Sequence, residues 1–420
     1  MKTNRLSKLS LAIGLSVAST AALASPQSFM SARSFAIGGT GVAVAHPSSA
    51  PSANPAMMAA QQHEWADDFG LMLPSINARM ADEEEVVDQV DDIQDLIDGF
   101  EDQKFSDPQQ AQDNARQLID RLEAFDRDTI RANVGLGLGF AIPTDSISIG
   151  FFADGNLTAT VRGELDKDDL ILLNSIADGT RPTETTDLDG ELKSRGRILA
   201  SAVVEAGVSF AKTFELSNGE ALQVGISPKY VELRTFQYTE TVSGFEDDEF
   251  DGDEYQTDKS GFNLDIGAAY AFGEENEWNA GVVVKNLVPM ELDSAVSSNP
   301  AKSEEKHTLE LNPMVTAGIA HKSEYHVVTA ELDLTKKEAF GYEDDTQWLA
   351  VGAEFDAWRY AQLRAGVRHN LASNDDNDGI EEDTQFTAGI GLNILGGRID
   401  IGGLFSSADV GAALEFGTAF

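Results

Sequence analysis

The sequence predicts an all-β fold: a transmembrane β-barrel of about 14 antiparallel strands, with an N-terminal luminal hatch and an extracellular helical hairpin insertion. Three observations predict it. Apolar residues alternate with small or polar ones along successive segments of the chain. Short and long connections take turns between those segments. After the N-terminal stretch there is no run of about 18 apolar residues, so only a closed barrel satisfies every backbone group in lipid.

The elements follow in chain order. Lys2, Arg5 and Lys8 form a positive start, Leu9 to Leu23 an apolar stretch, and Ala22-Leu23-Ala24 a small-x-small cleavage pattern. Residues 1–24 therefore read as a signal peptide cut after Ala24, with Ala22 and Ala24 as the recognised pair. No Cys follows the cut, and the chain has 0 Cys in all, which removes a lipid anchor, disulfides, thiol nucleophiles and thiolate metal sites. Residues 25–66 read as the hatch. Ser34 to Ala45 and Ser48 to Ala56 hold too many Gly and small residues for a stable helix, and Pro residues that break a strand. Such an irregular segment is tolerated at membrane depth when protein surrounds it.

Residues 67–420 read as the barrel, with strands near 69–80, 130–142, 145–162, 196–214, 220–240, 260–272, 277–287, 310–321, 324–335, 346–355, 358–369, 383–395, 397–405 and 410–420. In the second of these, Val134, Leu136, Leu138, Phe140 and Ile142 alternate with Asn133, Gly135, Gly137 and Gly139, as a wall between lipid and a crowded lumen requires. A soluble sandwich also alternates, but it has no reason to gather its long loops at one end. Here the long connections (81–129, 163–195, 241–259, 288–309, 336–345 and 370–382) interleave with tight ones such as Pro143-Thr144, Lys322-Ser323 and Gly396. That pattern predicts periplasmic turns and outer loops. Phe140, Phe214, Tyr270, Phe272, Trp278, Phe355, Phe416 and Phe420 lie at the short-turn ends on the lipid-facing parity, a predicted aromatic girdle. Phe416 and the terminal Phe420 also read as the signal by which barrel-assembly machinery recognises its clients.

The insertion at 82–129 breaks the alternation. Val86, Val90, Ile93 and Ile97, then Ala111, Ala115, Leu118, Leu122 and Phe125, repeat at helical spacing, and Asp107-Pro108 marks a helix start between them. These residues predict an antiparallel helical hairpin outside the barrel mouth, burying its own apolar seam.

With 71 acidic residues against 30 basic ones the net charge is -41, which disfavours nucleic-acid binding. The acidic runs Asp82 to Glu85, Glu246 to Glu249, Glu343 to Asp345 and Asp375-Asp376 fall in or beside long loops, facing lipopolysaccharide and the cations that bridge it. Catalytic, cofactor and metal sites are not expected. His321 and His326 flank a turn, and Gly39-Thr40-Gly41 lacks the strand–turn–helix setting of a dinucleotide loop. Asp247, Glu249, Asp251, Gly252 and Asp258 fall at the spacing of calcium-loop ligands. Asn374, Asp376, Asp378 and Gly379 begin the same pattern, with Gln385 where a bidentate Glu belongs. Diffuse cation screening explains both.

The stretch from Phe35 to Ala56, with Phe35, Gly38, Gly39, Gly41, Asn54 and Pro55 as its fixed points, resembles the hatch of the FadL-type long-chain fatty-acid transporters. It is still more similar to the TraF-type family of conjugal-transfer proteins, with which Lys285 to Pro289 and Leu363 to Gly366 also agree. The F-plasmid protein of that name is thioredoxin-like, whereas this chain has no Cys-x-x-Cys and reads as a barrel. The resemblance implies 14 strands, a luminal hatch and a passive outer-membrane channel for hydrophobic small molecules. The alternative is a surface scaffold in conjugation or cell contact, with the helical hairpin and acidic loops as its binding face.

Overall fold

The computed structural model describes residues 29–60, 70–82, 86–144, 146–216, 220–244, 252–356, 360–374, 380–381, 383–394 and 396–419. The signal peptide with Ala22 and Ala24, the terminal Phe420, the run Glu246 to Glu249 and most of the two calcium-like loops lie outside these residues. Two short helices, α1 (Ala32–Ala36) and α2 (Ala50–Ala53), and a 3-10 turn (Pro55–Met58) come before the first strand. The strands are β1 (Gly70–Asp82), β2 (Thr129–Ile142), β3 (Ser148–Glu164), β4 (Arg195–Glu215), β5 (Ala221–Thr241), β6 (Gln256–Phe272), β7 (Trp278–Lys285) and β8 (Met290–Asp293). They continue as β9 (Thr308–Leu311), β10 (Met314–Lys322), β11 (His326–Asp333), β12 (Trp348–Phe355), β13 (Ala361–Asn370), β14 (Thr384–Ile394), β15 (Gly397–Phe405) and β16 (Asp409–Ala419).

All strands but β8 and β9 form one closed antiparallel barrel. Chain neighbours pair, β7 pairs with β10, and β1 closes the wall against β16. The 14 wall strands are the 14 that alternation predicts. The ladder is interrupted in β1, whose register slips between Met72 and Ser75 against both neighbours. Pro74 sits at that bulge, where its missing N–H costs no ladder bond.

The wall is polar inside and apolar outside. Ile76, Phe210, Ile266, Val328 and Leu414 are exposed, while the residues next to them, Asn77, Ser209, Asp265, Thr329 and Glu415, are buried. A water-soluble protein would not present such a belt of large side chains on every strand. At the short-turn end Tyr270, Phe272 and Trp278 stack in a row, with centroids 5.8 and 6.2 Å apart. His321 joins Trp278 edge-on at 4.8 Å and stacks on His326, so the two histidines extend this rim.

The helical insertion forms α3 (Val86–Gln103) and α4 (Pro108–Phe125), and Asp107 caps α4 by accepting from Gln110 N at 3.2 Å. The seam Ile93, Ile97, Ala111, Leu118 and Leu122 is buried as its spacing predicts. The 163–195 connection, expected as plain loop, contributes α5 (Lys167–Ala177), whose Leu173 and Ile176 complete the same core. The 288–309 connection is not plain loop either: β8 and β9 form a hairpin that packs on the inner face of β4 and β5.

An outward position in the belt does not tolerate charge. Ile266→Arg is expected to cost about 2–4 kcal/mol in a lipid-vesicle unfolding titration, because its side chain meets hydrocarbon. A luminal Thr329→Ser keeps the hydroxyl that donates to Ile319 O and is expected to cost no more than about 1.5 kcal/mol, the loss of one buried methyl.

Candidate functional site

The hatch lies in the lumen and touches most of the wall. Ser31 starts α1 by accepting from Ser34 N, and Gly38 and Gly39 end it in the left-handed region at φ 78° and 84°. Those angles bring the chain sharply back across the lumen, at positions where a side chain would be strained. Gly38 N donates to Thr387 Oγ1 on β14 at 2.9 Å. Phe35 is buried against β15 and β16. Asn54 is fully buried, donates to Val42 O at 2.8 Å and accepts from Ala56 N at 3.1 Å, while Pro55 opens the 3-10 turn. A Cβ on Gly139, Gly225, Gly267, Gly281, Gly352 or Gly366, each on a different strand, would overlap hatch atoms. The small inner face of these strands is therefore the imprint of the hatch.

Charge holds the hatch in place. Gly41, Val42 and Ala43 point their N–H groups at one carboxylate, Glu331 on β11: Oε1 accepts from Val42 at 2.7 Å, Gly41 at 3.0 Å and Ala43 at 3.1 Å, and Oε2 from Gly41 at 2.9 Å. Successive amides of this kind make an anion nest, and here the wall itself supplies the anion. The Gly-rich stretch that imitates a phosphate loop in sequence is thus an intramolecular latch. A second tie joins Arg33 to Glu354 through two bonds of 2.8 and 3.0 Å. Glu354 also pairs with Arg364, Arg364 with Asp400, Asp400 with Arg398, and Arg398 with Glu415. Glu415 then accepts from Ala32 N at 3.0 Å, so the chain of charges returns to the hatch.

Between hatch and long-loop end lies a cavity of about 150 Å³. Phe29, Met30, Val42, Met314 and Trp348 give it an apolar body, and Lys285, Lys337, Arg368, Glu331 and Asp333 give it a charged border. The Arg368 guanidinium stands 4.3 Å from the Trp348 ring centre. At the mouth Arg162 lies 4.3 Å over the Tyr342 ring, and the Tyr342 hydroxyl donates to Glu164 at 3.4 Å. Burial pushes that phenol up to about 12, so it stays protonated.

The motif residues Phe35, Gly38, Gly39, Gly41, Asn54 and Pro55 are all found at hatch–wall or hatch–hatch contacts. The wall charges that hold the hatch, Glu331 at Gly41 to Ala43 and Glu354 at Arg33, escaped the sequence reading, as did Asp400; Arg364 lay in the Leu363 to Gly366 stretch without its role being visible. The available signal was a charge at the inward parity of a short apolar strand.

A closed barrel of 14 antiparallel strands whose lumen is filled by its own N-terminal segment defines the class: an outer-membrane-type hatch barrel. Residues 51–333 match the family described as F plasmid transfer operon, TraF, protein, and the chain belongs to that family. Among proteins with curated records none matches in sequence. Several solved structures share the fold. The TodX monoaromatic hydrocarbon channel, as a deltaS2 mutant, superposes with TM-score 0.55 at 14% identity, covering 93% of this chain and 98% of that one. The toluene transporter TodX of Pseudomonas putida gives 0.51 at 12%, over 94% and 99%. The CymD monoaromatic hydrocarbon channel gives 0.51 at 12%, over 93% and 98%.

If Glu331 is the latch, Glu331→Ala leaves three amides without an acceptor, and the two buried ones, of Val42 and Ala43, cost about 1–3 kcal/mol each. Hydrogen exchange at residues 41–43 is then expected to rise sharply while the strands stay protected. Unchanged exchange would mean that the hatch is held elsewhere.

Proposed function

We propose that this protein is a passive channel of the bacterial outer membrane for small amphiphilic molecules with an apolar body, shut in this structure by its hatch. The cavity carries the proposal. About 150 Å³ is the size of an engineered cavity that takes up benzene, so the space admits one ring. Its border of Lys285, Lys337 and Arg368 suits a polar or anionic group on that ring. The fold likeness to proteins named as monoaromatic hydrocarbon channels supports the single-ring part of that reading; the polar or anionic group rests on the border residues alone.

On this reading residues 1–24 are the cleaved export signal, residues 25–66 the hatch, and residues 67–420 the barrel, with Phe416 and Phe420 read by the assembly machinery. The short turns face the periplasm, and the long acidic loops face lipopolysaccharide. A solute enters the cavity from the mouth and passes when the nest at residues 41–43 leaves Glu331 and Arg33 leaves Glu354.

Deleting Phe35 to Ala56 is expected to raise the conductance of the barrel in planar bilayers by about tenfold or more, because it removes the plug. Trp348→Ala is expected to reduce saturable uptake of a labelled aromatic acid by whole cells without changing the amount of folded barrel. Uptake indifferent to both changes would refute the channel.

A second reading has its own observation. The helices α3, α4 and α5 stand outside the barrel with a core of their own, and leave Phe105 and Ile171 exposed by 69% and 71%. They suit a contact surface in plasmid transfer, the process named in the family description. A mating defect on deleting residues 86–125, with uptake intact, would favour it.

A further inference from the structure

The β8–β9 hairpin keeps a register that it does not use. Strands β6 and β7 pair from Phe272↔Trp278 to Ile266↔Val284. Past the bend at Asn286 one more backbone bond, Leu287 N to Leu264 O at 3.1 Å, falls one residue out of that register, and the Asn263 side chain holds both backbone groups of Val288. Continuing that register residue by residue sets Lys259 against Glu291 and Thr257 against Asp293. Those are the contacts observed, but through side chains. Lys259 Nζ donates to Glu291 O and Thr257 Oγ1 to Asp293 O, both at 2.7 Å. The chain leaves the wall at Asn286, a non-glycine residue in the left-handed region at φ 56°, whose N–H donates to Asp265. Beyond it, β8 bends inward and pairs with β9. The upper part of β6, Gln256 to Leu264, is left with β5 as its one strand neighbour among the described residues. Phe262 on this edge is 82% exposed.

The hairpin, with Phe340 of the 336–345 loop, covers an apolar patch of the inner wall. Leu199, Val203, Val231 and Leu233 project from the inner face of β4 and β5, directly above the Glu205–Lys229 ion pair. Met290, Leu309 and Leu311 of the hairpin bury them. Polar ties fix it there: Ser294 Oγ to Gln237 Oε1 at 2.8 Å, and Gln237 Nε2 to Glu305 O at 3.0 Å.

We propose that β8–β9 is a hinged flap seated in a second luminal binding site, one for uncharged apolar molecules, and that such a molecule displaces it while β8 zips onto the edge of β6. Three aliphatic flap side chains occupy the space that the ligand's hydrocarbon takes. The hinge is Asn286 on one side and Asn312-Pro313 on the other. Opening breaks the Gln237 ties, those of Arg195 and Arg197 to the Ala301 and Ser303 carbonyls, and that of Lys302 to Glu240. It gains backbone bonds to β6 in the register that the Lys259 and Thr257 contacts keep, and ligand burial supplies the remainder. The proposal rests on the channel reading for the direction of passage, but not for binding itself.

The test uses the full barrel in lipid nanodiscs, toluene as probe, and hydrogen exchange as readout. Toluene is expected to slow exchange at outward-facing amides of residues 257–263 by about tenfold and to speed it in residues 290–311. Because the chain has 0 Cys, a Q237C/S294C variant bridged by a short bis-methanethiosulfonate reagent holds the flap down reversibly. The bridged form is expected to lose both changes, and reduction to restore them in the same sample, which controls for misfolding. No protection at 257–263 in the unbridged chain overturns the flap, and so does an identical response in bridged and reduced forms. Intact exchange changes in a barrel that transports nothing would uphold the flap site and remove the channel.

Discussion

The closure of β1 on β16 is the constraint from which the rest follows. Once the ladder closes, the backbone of the paired strands bonds within the wall and each side chain has only two places to go, outward to lipid or inward to the lumen. Large apolar residues on one parity cover the outside. The other parity then collects Asn, Ser, Glu, Asp, Arg and Gly around a space that the hatch fills. A buried charge in that space needs a partner, and several have one: Lys229 lies between Glu205 and Asp265, and Asp409 accepts from Arg131 at 2.7 Å.

The hatch completes this arrangement rather than merely obstructing a pore. Its backbone amides satisfy Glu331, Arg33 satisfies Glu354, and its carbonyl and small side chains fit against strand glycines. Such a plug resists leaving, because each departure strands a charge, yet the ties are few and local. The wall is also uneven. Strands β4 and β5 run for 21 residues each, while β7, β11 and β12 run for 8. The tall side carries the β8–β9 hairpin on its inner face, and the low side borders the cavity, so the two halves of the lumen are filled by different means.

Much of the fold was legible in the sequence because a membrane wall imposes a strict period of two. All 14 wall strands were marked within a few residues, and so was the helical pair with its Asp107 start. What stayed hidden depended on partners remote in sequence. Leu173 and Ile176 make a short apolar run that becomes a helix only by docking on Leu118 and its neighbours. Met290 and Leu309 sit in a polar connection, and Leu311 in what reads as the start of a wall strand at 310; all three turn inward because β4 and β5 present an apolar patch, and the wall strand begins at Met314. At the site, the hatch motif was visible through its glycines and Asn54-Pro55. Glu331 was not, since nothing local distinguishes a carboxylate that waits for amides 288 to 290 residues away.

The central claim, that lipid and lumen divide the wall by parity, is tested most directly by single-cysteine spin labels along β16 from Val410 to Thr418 in reconstituted vesicles. Oxygen accessibility should be high at Val410, Ala412, Leu414 and Phe416 and low at Gly411, Ala413 and Glu415, with a period of two through the strand. Uniform accessibility to a water-soluble nickel reagent along the whole strand would contradict the account.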